Sequence, residues 1–151
     1  DNPGCELHVP VFLDTENLVD LRTLKGHVQR SSNMIVLLTP GLLTRAWCLV
    51  EIATAVNNDI NIVPVQLERP GATFKFPEED FYYRLREGHH LSPEAMELVA
   101  REGITVEELE EAVRQVFLHI ALPFSPHKSA TIRKAELEDI MKRCAYGQAK
   151  F

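Results

Sequence analysis

NMIVLLTPGLLTRAWCLVEIATAVNNDINIVPVQLE, residues 33–68, decides the fold. NMIVLLT (33–39) is a continuous apolar run of strand length, the pattern of a strand buried on both faces. Pro40 and Gly41 break it. TRAWCLVEIATAVNN (44–58) reads as a helix: Thr44 stands at the capping position, and Ala46, Trp47, Val50, Ala53 and Thr54 share one face. INIVPVQLE (60–68) is a second buried strand. Strand, helix and strand with short connections call for a parallel sheet covered by helices.

Upstream, LHVPVFLD (7–14) reads as a short strand ending at Asp14, where DTEN begins a loop. LVDLRTLKGHVQRS (18–31) places Leu18, Leu21, Leu24 and Val28 at helical spacing, weakened by Gly26. Downstream, RPGATFKFPEED (69–80) is a turn-rich loop, and the character then becomes helical. FYYRLREGHH (81–90) reads as a short helix whose Phe81, Tyr82 and Tyr83 anchor it to the core. SPEAMELVAREG (92–103) has Ser92 as cap, Pro93 at the first helical position and Gly103 as its close. TVEELEEAVRQVFLHIALPF (105–124) opens on a capping box, Thr105 with Glu108, and reads as one helix to its end. TIRKAELEDIMKRCAYG (131–147) is a final amphipathic helix. The expected division is an α/β core over residues 1–80 and a helical part over 81–151, packing on the core or extending from it.

Composition narrows the function classes. The chain has 151 residues, 45% of them hydrophobic and 25% charged, an ordinary globular composition for one domain. A net charge of −6 argues against a nucleic-acid partner. No apolar run approaches the roughly 20 residues that span a bilayer, and DNPGCELHVP lacks the pattern of a signal peptide. The absent initial Met reads as a fragment or a processed product. Cys5, Cys48 and Cys144 are odd in number and far apart, which reads as reduced thiols in a cytoplasmic, intracellular compartment. Cys48 has no basic partner in sequence and reads as a small buried hydrophobe. No metal site is expected, because the adjacent His89 and His90 cannot easily reach one ion from one face. No GxGxxG or P-loop is present, which argues against a Rossmann dehydrogenase or an NTPase.

VFLD with its polar loop, then SSNMIVLLTPGLLTRAWCLVEIATAV, then IVPV, together resemble the Toll/interleukin receptor (TIR) domain family over roughly residues 7–68. The W-C-L-x-E-I cluster is the most specific part. The resemblance implies an α/β, flavodoxin-like three-layer parallel sheet, strand order 2-1-3-4-5, here with an α-helical C-terminal extension. The family's usual first strand and helix precede the segment matching Leu7 onward and are absent from this sequence. Three explanations stay open. An upstream segment lies outside the sequence, another chain fills the gap, or strand 7–14 pairs directly with strand 33–39.

The family divides by function, and two readings follow. The first is a protein-interaction and signalling module, part of a larger protein or assembly, whose partners are other TIR domains or assembly subunits and which forms oligomers. The second is a TIR-type NAD hydrolase that cleaves the nicotinamide–ribose bond, with NAD as substrate and no prosthetic group. Glu51 matches the family's catalytic glutamate, and Trp47, one turn earlier, is placed to wall the nucleotide pocket. A carboxylate there would hydrogen-bond the ribose and stabilise an oxocarbenium-like transition state. The competing reading of Glu51 is a solvated edge of an apolar helix face. DTENLVDLR (14–22) matches the partner-binding loop, with Asp14, Glu16, Asn17 and Asp20 as its polar contacts. It lacks the Pro or Gly common there, and a plain solvated turn capped by Asp14 or Asn17 explains the same residues. The helical tail (92–147) adds docking surface and tilts the reading towards interaction.

Overall fold

Three parallel strands form the sheet in a computed structural model, which describes residues 21–144. They are β1 (Asn33–Leu38), β2 (Asn61–Leu67) and β3 (Leu122–Phe124), in the order β1-β2-β3. The helices are α1 (Leu21–Arg30), α2 (Ala46–Asn57), α3 (Glu79–Arg86), α4 (Pro93–Arg101), α5 (Val106–Val116) and α6 (Ala130–Arg143). An all-parallel sheet with helices on both faces is an α/β, flavodoxin-like arrangement, closed by a C-terminal helix. The expected strand 7–14, and with it Asp14, Glu16, Asn17 and Asp20, lies outside the described residues.

Alternation along the strands divides the core in two. Val36 and Leu38 of β1 and Ile62 of β2 face a large cluster with Leu49 and Ala53 of α2 and Leu109, Val113 and Val116 of α5. Val63 and Val65 point the other way, onto Ile140 of α6. Seven of the twelve residues of α2 are buried, so this helix is enclosed rather than merely amphipathic.

The boundaries follow local chemistry. Ser92 accepts from the Ala95 N–H and Thr105 from the Glu108 N–H, both as the sequence predicts. The return half of the capping box is redirected: the Glu108 carboxylate accepts instead from Asn57 of α2, at 3.5 Å. Thr44 does not cap α2. It ends a short 3-10 turn, Leu42–Thr44, and its hydroxyl donates to the Gly41 carbonyl at 2.7 Å, which leaves Arg45 at the cap position. Tyr83 also departs from expectation. Phe81 and Tyr82 are buried, whereas Tyr83 is 58% exposed, because successive residues of α3 point in different directions.

Residues 105–124 are not one helix. α5 ends at Val116, and Leu122–Phe124 pair in parallel with Val65–Leu67. The helical-looking apolar stripe continued through Ile120, yet Leu118 and Ile120 are 74% and 75% exposed. Pairing with β2 outweighs local periodicity here, and the C-terminal part of the chain thereby enters the sheet.

Pro64 sits inside the central strand, where a residue without an N–H is normally excluded. The ladder explains it. The Asn61 N–H donates to Ser32 and the Glu68 N–H to Phe124, so odd positions of β2 face β1 and even positions face β3. β3 pairs only from Val65 onward, so Pro64 faces the side where the ladder has not begun.

Candidate functional site

In open α/β sheets, ligands bind beyond the carboxyl ends of the strands. Among the described residues, two such crevices stand out. The first, about 340 Å³, lies beyond β1, between the Pro40–Gly41 turn, the loop after β2 (Thr73–Glu78) and α3. The second, about 320 Å³, lies beyond β2, between Gln66–Pro70 and His127.

The floor of the first crevice is apolar and fixed. Leu43, Phe74 and Phe81 are buried. His90 Nε2 donates to the Leu43 carbonyl, and the imidazole meets Phe81 edge to face at 4.6 Å between centroids. Phe74, Phe76 and Phe117 form a triangle of rings with centroids 5.2 to 5.8 Å apart. Gly41 turns the chain at φ +89°, a left-handed conformation that favours glycine. On the rim, Arg84 is paired to Asp80 at 3.0 Å. Loop 69–80 carries no periodic pattern, so this lining is not legible in the sequence beyond the closely spaced Phe74 and Phe76.

Trp47 and Glu51 stand one turn apart on α2, as the spacing requires. Trp47 is 39% exposed. Glu51 is half-buried, with Oε1 shielded from solvent. Neither residue lines either crevice. The four loop residues expected to contact a partner lie outside the described residues, so Glu51 and Trp47 are the two expected site residues that the structure describes.

Charges concentrate elsewhere. Arg114 of α5 grips both carboxylate oxygens of Glu79 at 2.9 and 3.1 Å and reaches Glu110 at 3.3 Å. Arg86 bonds the same Glu110. The Arg114 guanidinium also lies 3.8 Å above the Tyr82 ring centroid. The hydrogen bond from Arg114 holds the Glu79 carboxyl below its usual range, and the one from Arg86 does the same for Glu110. Burial pushes the Tyr82 hydroxyl up. This network joins α3 to α5 through paired charges and reads as a brace.

No family model, no curated protein and no solved structure matches this chain. No helix among the described residues is long and apolar enough to cross a membrane.

Proposed function

We propose that this chain is a TIR-like protein-interaction module of a signalling assembly. The observation that carries the reading is where its apolar surface lies. Ile35 and Leu37 on β1 are 50% and 47% exposed, although their register partners Val63 and Val65 are buried. A strand in the sheet whose apolar side chains stay half-exposed on one face is the mark of a surface that expects a partner. The placement of Glu51 supports the same reading, because this half-buried residue lies outside both crevices.

NAD hydrolysis at Glu51 is the second reading, and the shielded Oε1 favours it, since a partly desolvated carboxylate interacts strongly with a developing positive charge. One pair of measurements separates the two. Sedimentation of the purified chain over a range of concentrations is expected to show self-association or assembly with TIR domains, while nicotinamide release from NAD stays at background. A monomer at all concentrations that releases nicotinamide, and stops doing so as Glu51→Gln, would overturn the interaction reading.

A further inference from the structure

The crevice beyond β1 is lined for a small molecule, and its charges decide which kind. Its volume, about 340 Å³, falls within the range of pockets that hold one small ligand. Its place beyond the carboxyl end of a parallel strand is where open α/β sheets bind ligands. Leu43, Phe74 and Phe81 make a buried apolar floor, and Phe76 stands beside them with its side chain 43% exposed. Phe76 meets Phe74 and Phe117 edge to face, which fixes its ring and leaves part of its surface open to the crevice. A flat apolar group laid there gains ring contacts in addition to burial.

Three charged side chains at the rim are unengaged. Lys75 and Glu78 make no side-chain hydrogen bond or ion pair among the described residues. Glu78 occupies the cap position of α3, yet its carboxylate caps nothing. Arg84 is held to Asp80 through Nε alone, so its two terminal nitrogens donate to nothing among the described residues. Lys75, Glu78 and Arg84 border the same crevice and still do not pair with one another. Unpaired charges of both signs at one opening disfavour a simple anion, which Glu78 would repel, and a simple cation, which Lys75 and Arg84 would repel. They suit a molecule that carries both charges close together. Joined to a ring for the apolar floor, such a molecule is an aromatic α-amino acid.

We infer that this crevice binds a free aromatic α-amino acid. Its carboxylate meets Lys75 and Arg84, its ammonium meets Glu78, and its ring lies against Phe76 over the floor. This binding is separate from the interaction reading and does not rest on it. A partner protein's aromatic side chain would fill the floor but bring no ammonium and carboxylate to the rim.

The test titrates the full 151-residue chain, isotope-labelled, with L-phenylalanine, L-tyrosine and L-tryptophan in turn. Saturable amide shifts centred on Gly41, Lys75, Phe76 and Glu78 are expected from at least one of them. Phenylpropionate lacks the ammonium, phenylethylamine lacks the carboxylate and L-alanine lacks the ring; each is expected to bind at least about tenfold more weakly. N-acetyl-L-phenylalanine amide, which presents the ring as a protein partner would, is expected to bind as weakly as these. The double variant Lys75→Gln, Glu78→Gln changes two exposed, unpaired positions, so it keeps the fold and should lose at least about tenfold in affinity. No saturable shifts from any of the three amino acids, or shifts centred away from the crevice, would overturn the inference. Equal binding by the acetylated amide would overturn it in favour of a partner's side chain, and undiminished binding by the folded double variant would overturn it as well.

Discussion

Arg143 supplies the hydrogen bond that Pro64 cannot. Continuing the β2–β3 ladder two residues at a time from the Glu68–Phe124 bond sets the amide position of Pro64 opposite the carbonyl of Ile120. That carbonyl accepts instead from Arg143 Nη1, at 2.9 Å. Asn61, at the start of β2, in turn donates from Nδ2 to the Arg143 carbonyl at 2.9 Å. One residue at the end of α6 therefore ties the helix to β2 and to the segment that leads into β3. Arg143→Ala should lower stability by about 1 kcal/mol. Pro64→Ala, which restores an N–H, should recover part of that loss in the double variant. Denaturant unfolding of the four proteins of this cycle measures the coupling, and strict additivity would mean that the two residues do not share the carbonyl.

Trp47 and Leu49 of the W-C-L-x-E-I cluster should respond differently to truncation. Leu49 is 0% exposed and Trp47 is 39% exposed. Leu49→Ala should cost about 2–5 kcal/mol, from lost burial plus the cavity left behind. Trp47→Ala should cost less despite its larger side chain, because part of the indole already faces water. Thermal or denaturant unfolding gives both values, and a larger loss at Trp47 would mean that it is a core anchor.

Acid should loosen α3 from α5. Glu79 and Glu110 are held below the ordinary carboxylate range by hydrogen bonds from Arg114 and Arg86 respectively. A carboxylate whose folded pKa is depressed binds fewer protons than in the unfolded chain, so stability rises with pH there. Its contribution is complete above the unfolded value and is lost as pH falls through the folded one. Wild-type stability should therefore decline below about pH 4.5, and Arg114→Met should flatten that decline. Unfolding midpoints measured from neutral pH down to about pH 3 test this; parallel pH curves for the two proteins would remove the brace.

The cap of α5 should be worth about 1 kcal/mol in a Thr105→Ala comparison, with Thr105→Ser nearly neutral. The hydroxyl accepts from the Glu108 N–H at 3.1 Å, a bond that serine can keep. Equal losses in the two variants would locate the effect in the threonine methyl group rather than in the cap.

Gly41→Ala should destabilise by about 1 kcal/mol through its backbone alone. A Cβ there would meet Thr44 Oγ1 at 3.6 Å, an ordinary contact, while φ +89° remains unfavourable for any side chain. Gly41→Asn, whose side chain tolerates the left-handed region better, should lose less.

The sequence by itself determined the elements whose signals are local and strong. Residues 34–38 and 62–65 are apolar runs of strand length, so both strands were readable before any coordinates. Burial on both faces holds for residues 62–65 of β2 but not for β1, whose Ile35 and Leu37 are half-exposed on one face. Ser92 and Thr105 cap their helices because a side-chain oxygen needs only its own backbone three residues on. Tertiary structure decided the rest. Leu122–Phe124 becomes a strand only because β2 offers it an open ladder, and Pro64 is tolerated only because that ladder starts at Val65. The crevice beyond β1 joins residues from Pro40 to His90, which no local pattern connects. Glu51 shows the division within one residue. Its position on α2 is a matter of sequence spacing, but whether it faces a ligand depends on which surfaces the fold brings against that helix, and the two crevices open elsewhere.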